Sequence, residues 1–283
     1  MVEEKIIFDI IEKSIIDTVK CNTSGTARKR GVGAEFSYNS DVNSYDIVYP
    51  DGTLVQYDDD DGLVSVSIDG KKYDFPGKKD SDYEYEMFEY MKQQLSNMEG
   101  ILGYSTMYNF VRAYFDDFAS YLGWAINGAL RDGTPLEDAH PRIHQWNDIL
   151  VDGHDAFVDL EHELRIDNED YACIRLQSNM NHGNDSIDKK VISDKAHTCT
   201  TVGGDWTKQV INFTETMSAG DSWKVITVVD KGSGVTGLFA GNPLRDERGR
   251  DWEAEVNFAP KQKFERLLID EENKIIIQKP VVK

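Results

Sequence analysis

Cysteine is scarce in this sequence. Cys21, Cys173 and Cys199 are its three cysteines in 283 residues, an odd number at wide spacing. Small secreted domains that depend on disulfides carry an even set of cysteines at short intervals, so the sequence does not belong to that class. The cysteine usage favours a reducing compartment, and we expect the protein to act in a cytosol.

Long apolar runs are also missing. The isoleucines at positions 6, 7, 10 and 11 are followed by Glu12 and Lys13 before an apolar run can develop. A signal peptide needs a basic start and an apolar stretch of roughly 7–15 residues, and a membrane-spanning helix needs about 20. We therefore expect no signal peptide, no transmembrane segment and no membrane partner.

Positive charge is in deficit. The chain has 31 Lys and Arg residues against 51 Asp and Glu residues, which gives a net charge of −20. A field of this sign repels the phosphates of nucleic acids, so direct nucleic-acid binding is not expected. A basic protein partner is compatible with it.

The first 80 residues are predicted to form a helix and an antiparallel β-meander. Isoleucine and valine fall on one helical stripe over residues 6–19. From about residue 33 to 75 apolar and polar residues alternate, with turn sequences at 50–52, 61–62 and 69–70. The Pro-Gly-Lys-Lys-Asp stretch at 76–80 is typical of a linker. We therefore predict two domains, residues 1–80 without an assigned role and residues 81–283.

The second predicted domain has helical patterns followed by strand patterns. Apolar residues recur at helical spacing from about 83 to 131, and a second helical stretch is predicted from about 141 to 164. Short strand-like runs follow at 171–176, 210–213, 223–229, 252–258 and 275–278. Helices first and strands afterwards predict an α+β fold and not a doubly wound sheet.

Several short motifs point to chemistry that their context does not support. The acidic run 58–61 fits a calcium loop only if hydrophobic or aromatic residues occupy its first and last ligand positions. The Gly-x-Gly-x-x-Gly sequence at 232–237 lacks the helix start that a dinucleotide fingerprint needs. His140 and His144 have Pro141 between them and no third ligand at a suitable spacing. We expect no metal site.

Two acidic residues are adjacent on one face of a predicted strand, in Trp-Glu-Ala-Glu-Val at 252–256. Residues two apart in a strand project to the same side, so the carboxylates of Glu253 and Glu255 lie next to each other. A solvent-facing strand edge would account for such a pair on its own. Upstream, however, lie Arg175, flanked by apolar residues, and the hydroxyls of Thr214 and Thr216 at a strand end. The order of these three elements indicates a function.

This ordered set resembles the arginine-specific branch of the mono-ADP-ribosyltransferases. That branch includes clostridial-type toxins and the Alt and Mod enzymes of T-even bacteriophages, and its pattern is an arginine, a Ser-Thr-Ser strand and Glu-x-Glu. The sequence Ile-Asn-Gly-Ala-Leu at 126–130 is similar to the Ile-Asn-x-x-Leu helix end of the family, and residues 256–264 are similar to the continuation of its Glu-x-Glu strand. The middle motif departs from the pattern, since Glu215 stands between the two threonines.

The resemblance covers roughly residue 87 to the C-terminus and implies a two-sheet β core that binds NAD as a substrate, without a metal. By position, Arg175 would hold the diphosphate, and Thr214 and Thr216 would lie on the nicotinamide side. Glu255 would stabilise the positive charge that develops on the ribose as the glycosidic bond breaks. Glu253 would orient and deprotonate an acceptor, implied to be an arginine of another protein, such as a bacterial host protein.

Two other functions remain open at this point. An NAD glycohydrolase of the same fold would pass ADP-ribose to water. A non-catalytic acidic protein with a degenerate transferase fold would bind a basic host factor. The phage and toxin relatives would both act in a host cytosol.

Overall fold

A computed structural model describes residues 33–40, 44–58, 62–75, 93, 104–115, 121–139, 141–177, 189–202, 211, 222–240 and 255–282. The predicted N-terminal helix and the predicted linker at 76–80 lie outside these residues.

The predicted meander is present. Five antiparallel strands follow one another: β1 (Glu35–Asn39), β2 (Ser44–Val48), β3 (Leu54–Asp58), β4 (Gly62–Ile68) and β5 (Lys71–Asp74). The turn between β4 and β5 has positive φ at both Asp69 and Gly70 (52° and 76°), as a type I′ hairpin requires. The Asp-Gly sequence therefore specifies this turn.

Three α-helices follow in the described residues: α1 (Tyr104–Phe115), α2 (Leu122–Asp132) and α3 (Leu150–Glu163). Two short 3₁₀ helices, Leu136–Asp138 and Pro141–Trp146, connect α2 to α3. Helix α2 ends at Gly133, whose φ of 72° is in the left-handed region that glycine adopts readily. The three helices bury one apolar cluster, which includes Phe110, Ile126 and Phe157.

Eight further strands complete the fold: β6 (Tyr171–Gln177), β7 (Val191–Ser193), β8 (Thr198–Thr201), β9 (Trp223–Val229), β10 (Leu238–Ala240), β11 (Glu255–Phe258), β12 (Lys263–Asp270) and β13 (Ile275–Pro280). Hydrogen bonds join the described strands in the order β1-β2-β3-β4-β5-β6-β9-β13-β12-β7. Strands β8, β11 and β10 form a branch that leaves this path at β6.

The meander continues directly into this sheet, because β5 pairs with β6. One apolar cluster contains Val55 and Leu63 of the meander together with Ile174, Ile226 and Ile277. A second cluster, which includes Cys173, Val256 and Phe264, fills the space between the β6-β9-β13-β12 path and the branch.

The architecture agrees with the predicted α+β class, with helices before strands and one large sheet. The division of the core into two sheets remains a prediction, since hydrogen bonds connect every described strand. The strand expected at 210–213 is wrong at Ile211, which is helical and packs against the cluster shared with the meander. Local β-propensity is overridden there by tertiary packing.

Candidate active site

Arg175 lies on the face of β6 that looks away from the meander. Its neighbours Ile174 and Leu176 pack into the cluster shared with the meander. Because side chains alternate along a strand, Arg175 follows Cys173 toward the branch. It lines a small cleft between the β6-β9-β13-β12 path and β8.

The cleft has two guanidinium groups and several amide and hydroxyl groups. Its lining residues include Arg175, Gln177, Asp194, Thr198, Arg266 and Gln278. The side chain of Arg266 is buried, and its Nη1 donates to the carbonyl oxygen of Lys189 at 3.3 Å. Two cations beside few anions make this cleft suitable for a negatively charged ligand.

Arg175 has an acidic protein partner. Its Nη1 lies 3.7 Å from Oδ2 of Asp194. The same carboxylate oxygen accepts a shorter bond, 3.1 Å, from Nη2 of Arg131 on α2. Asp194 therefore has a closer cation than Arg175 and would stay paired if Arg175 turned to a ligand.

Glu255 is the first residue of β11, beside the end of β8. It lies opposite Thr201 of β8, and Thr201 is paired on its other side with Ile174 of β6. The three residues form one row across neighbouring strands, so the backbones at Ile174 and Glu255 are about 10 Å apart. The strand of the predicted arginine and the strand of the predicted glutamate are thus brought together through β8.

The side chains of Arg175 and Glu255 do not face the same side. Thr198, on the cleft side of β8, lines the cleft with Arg175. Glu255 follows Asn257 on the opposite face of β11, the face that looks toward the helices. A ligand that contacts both residues must pass the ends of β8 and β11.

Three of the predicted site residues, Glu253, Thr214 and Thr216, lie outside the described residues, as does Trp252. In the described part of the chain, the strand that carries hydroxyls beside Glu255 is β8, with Thr198, Thr200 and Thr201. The sequence analysis did not single it out. Three threonines within four residues gave a signal for it, but its partner β11 is more than fifty residues away and cannot be identified locally.

A buried polar network joins the helices to the branch. Nδ2 of Asn257 on β11 donates to Oε1 of Glu161 on α3 at 2.6 Å, and Oδ1 of Asn257 accepts from Sγ of Cys199 at 2.9 Å. Nδ1 of His197 is 2.9 Å from both oxygens of Glu161. Nε2 of His197 is 3.0 Å from Nε2 of His154 on α3.

The network extends to the other two helices. The backbone N–H of His197 donates to Oδ1 of Asn127 on α2, and Nδ2 of Asn127 donates to the hydroxyl of Tyr114 on α1. Asn127 belongs to the Ile-Asn-x-x-Leu sequence noted above. Here it connects two helices to the residue preceding β8.

Burial controls the protonation of this network. It raises the pKa of Glu161 well above the usual value, against the hydrogen bond from Asn257, which lowers it. It lowers the pKa of His197 to about 3 and that of His154 to about 4. A network without charged groups fits this geometry. In it, protonated Glu161 donates to Nδ1 of His197, and the Nε2–H of His197 donates to His154.

The other motifs have simple positions. The loop at 232–237 has positive φ at Gly232 and Gly234 and leads into strand β10, so it does not open a helix. Among the described residues, no group of three His, Cys, Asp or Glu side chains is arranged to hold a metal ion. The same residues contain no helix long and apolar enough to cross a membrane.

Solved structures similar to this chain include ADP-ribosyltransferase toxins. The Vis toxin of Vibrio splendidus, in complex with agmatine, is 16% identical over 73% of this chain and 88% of its own, with a TM-score of 0.40. The C3 exoenzyme of Clostridium limosum is 13% identical over 70% of this chain and 95% of its own, with a TM-score of 0.42. The ADP-ribosylating toxin BECa of C. perfringens, solved with NADH, is 15% identical over 88% of this chain and 61% of its own, with a TM-score of 0.41.

No protein-family model and no curated protein matches the sequence. Since these TM-scores are 0.42 or lower, the functional assignment rests on this chain's own residues.

Proposed function

We propose that the protein is a mono-ADP-ribosyltransferase that transfers ADP-ribose from NAD to an arginine of an acceptor protein and releases nicotinamide. The observation that carries the proposal is the row Ile174–Thr201–Glu255, which joins the strand of Arg175 to the strand of Glu255. The three sequence elements of the family pattern are far apart in the chain. The row brings the strands of two of them, Arg175 and Glu255, to either side of β8.

Arg175 binds the diphosphate of NAD in the cleft. Its planar fork of donors matches two phosphate oxygens, and Arg266 adds a second positive charge to the same cleft. When Arg175 turns to the diphosphate, Asp194 keeps its 3.1 Å bond to Arg131 and is not left as an unpaired acid. Binding of the diphosphate therefore replaces the 3.7 Å ion pair between Arg175 and Asp194 by a closer pair between Arg175 and the phosphate.

Glu255, the first residue of β11, acts at the nicotinamide ribose. As the bond between ribose C1′ and the nicotinamide nitrogen breaks, the electron pair leaves with nicotinamide, and positive charge develops on the ribose. A fixed carboxylate stabilises this oxocarbenium-like charge, as in glycosidases. The dinucleotide then runs from the Arg175 cleft past the end of β8 to Glu255.

Glu253 prepares the acceptor. A guanidinium is a poor nucleophile because its pKa exceeds 12, so its nitrogen needs a carboxylate to accept the proton as the bond to C1′ forms. Glu253 is two residues before Glu255 and carries that role by the Glu-x-Glu spacing. The acceptor is a protein, and a basic one suits the −20 charge of the chain.

The hydroxyls of the middle motif have two candidate sources. Thr214 and Thr216 fit the order of the family pattern. Thr201 is favoured by position, because it lies directly opposite Glu255 on the neighbouring strand and shares its face. We propose that at least one of these hydroxyls holds the catalytic glutamate.

The remaining assignments belong to the same proposal. The core consists of two packed sheets built from residues 81–283, and residues 1–80 add a helix and the meander to it. The chain belongs to the arginine-specific branch with the Alt and Mod phage enzymes and clostridial-type toxins, and acts in a host cytosol as a toxin or phage effector.

Glu255→Gln tests the proposal. The variant keeps the size of the side chain and loses the charge, so nicotinamide release and protein labelling should both fall by roughly 10²–10³-fold. The affinity for NAD, measured by calorimetric titration, should stay within about threefold, because the diphosphate contacts remain. The control is Glu265→Gln, an acid of β12 that pairs with Lys190 on the surface.

Three outcomes are informative. Wild-type protein that binds NAD and labels arginines of a cell lysate supports transfer. Release of free ADP-ribose without labelling indicates the glycohydrolase. Wild-type protein that neither binds nor cleaves NAD indicates a non-catalytic binding protein and overturns the proposal.

A further inference from the structure

Asn257 occupies a position where an apolar residue would be expected. It is fully buried on β11, and its partner across the strand pair, Leu238 of β10, packs into the apolar cluster of the helices. A buried amide must find partners for its donors and acceptors or lose stability. Asn257 finds them in Glu161 of α3 and Cys199 of β8.

These partners are themselves costly to bury. Glu161 and His197 are fully buried, and His154 is 6% exposed. Replacing buried polar groups by apolar residues of similar volume is often neutral or stabilising, so stability alone does not explain the network. A satisfied polar network does define one arrangement of the elements that it joins.

The strand whose register needs to be fixed in this way is β11. It has four residues, and its neighbours β10 and β8 have three and four. A slip of one residue along a strand sends every side chain to the opposite face. Such a slip would turn Glu255 from the helix side to the cleft side.

We propose that Asn257, held by Glu161 and Cys199, is a positioning residue that fixes the register and face of β11 and thereby aims Glu255. This role rests on the proposed function, since it concerns the residue that acts on the ribose. Glu161 is the second member of the clamp, and His197 holds its carboxyl group in place from the other side.

The experiment replaces the clamp by apolar residues in the full-length chain. In the double variant Glu161→Leu/Asn257→Leu, the cleft face of β6 is untouched, so the dissociation constant for NAD should stay within about threefold. Single-turnover nicotinamide release at saturating NAD should fall by about 10- to 100-fold, the range for a catalytic group displaced by roughly 1 Å. A merely structural role would lower the melting temperature and leave this rate unchanged.

Two comparison variants separate positioning from stability. Glu161→Gln keeps an oxygen that accepts from Asn257 and an amide that donates to His197, so its rate should stay within twofold of wild type. Tyr49→Phe removes a buried hydrogen bond of 2.8 Å to Asp270, which involves neither β11 nor its neighbours β8 and β10, and it should lower the melting temperature with an unchanged rate.

If the double variant gives no cooperative melt, Asn257→Ser replaces it, since the shorter side chain loses both bonds and keeps the apolar positions of β11. It should slow nicotinamide release about 10-fold at unchanged NAD affinity. A rate within twofold of wild type, or a loss matched by weaker NAD binding, would overturn the positioning role while the proposed function stands. If wild-type protein released no nicotinamide from NAD, the proposed function would fail, and this role with it.

Discussion

At the scale of single residues, Arg175 shows how a charged side chain in a cleft is paired before a ligand binds. Its pair with Asp194 is long at 3.7 Å, and Asp194 has a nearer partner in Arg131. The sequence predicted the residue, and its two apolar neighbours, which pack toward the meander, leave its side chain on the opposite face of β6. It could not predict Asp194, which lies nineteen residues later, just after β7.

Arg175→Lys should therefore not behave as a conservative change. Lysine keeps the charge and loses the planar fork, and the loss of a charge-assisted hydrogen bond costs about 1.5–3 kcal/mol. NAD binding should weaken by roughly 10- to 100-fold in calorimetric titration. Unchanged affinity with a lower melting temperature would show that the residue only supports the fold.

Asp194→Asn should have the opposite effect on the affinity for NAD. The carboxylate lines the cleft with Arg175 and repels a diphosphate, so its neutralisation should tighten NAD binding by about 3- to 10-fold. The amide can still accept from Arg131. Asp155→Asn, an exposed acid of α3, is the matched control, and equal effects of both changes would mean that only the net charge matters.

Glu161 and the two histidines predict a distinctive pH dependence of stability. The pKa values of His197 and His154 are lowered to about 3 and about 4 from 6.5, so the unfolded chain binds more protons below pH 6.5 and stability falls toward acid. The pKa of Glu161 is raised from 4.5, so the unfolded chain binds fewer protons above that pH, and stability falls as the pH rises toward the raised pKa.

Together these groups place the greatest stability near pH 6.5, with losses on both sides. Glu161→Gln should abolish the loss on the alkaline side and steepen the acid side by about one proton, or roughly 1.4 kcal/mol per pH unit. Urea unfolding between pH 4 and 8 measures both limbs. A variant with the same alkaline slope as wild type would show that Glu161 is ionised in the folded protein.

At the scale of elements, the sequence predicts best where local chemistry is sufficient. The turn between β4 and β5 and the end of α2 both need a positive φ. The Asp-Gly sequence and Gly133 indicate this directly, because glycine adopts positive φ readily. Strand β8 was missed because its identity depends on β11, a long-range partner. The buried network was missed for the same reason, since Glu161 and His154 look like ordinary polar positions of a helix.

Thr201→Val tests whether β8 supplies the hydroxyl beside Glu255. The change keeps the branched shape and removes one oxygen. Nicotinamide release should fall by about 10-fold if that hydroxyl holds the glutamate, a loss of roughly 1.4 kcal/mol that fits one hydrogen bond. The matched control is Thr227→Val on β9, where the rate should not change; Thr227 is also buried, and its hydroxyl accepts a hydrogen bond from Gln278. If Thr214→Val alone slows the reaction, the sequence-based choice is the right one.

At the scale of the whole molecule, the meander is attached to the sheet in several ways. Strand β5 pairs with β6, Nζ of Lys71 contacts Asp170 and Asp230 at 2.7 and 2.6 Å, and the hydroxyl of Tyr49 donates to Asp270. The apolar cluster is shared, with these members on the side of the later strands: Ala172, Ile174, Ile226, Val228, Ile275 and Ile277. The sequence suggested a linker at 76–80, but composition could not show that the chain on either side of it packs together.

A chain of residues 81–283 alone should therefore not behave as an independent domain. Removal of the meander would expose these six apolar side chains of the later strands. Five of them are Ile or Val, and at about 1.5–3 kcal/mol each the loss is on the order of 10 kcal/mol, comparable with the whole stability of a typical domain. We expect this fragment to aggregate or to melt without cooperativity, and co-expression with residues 1–80 should restore a soluble complex that binds NAD.

Full-length protein cleaved by trypsin within 76–80 should likewise stay associated in gel filtration. A monomeric 81–283 fragment with a cooperative melt and normal NAD binding would instead establish the boundary near residue 80 as a true domain boundary, and the shared cluster would then be a contact between two independently stable units.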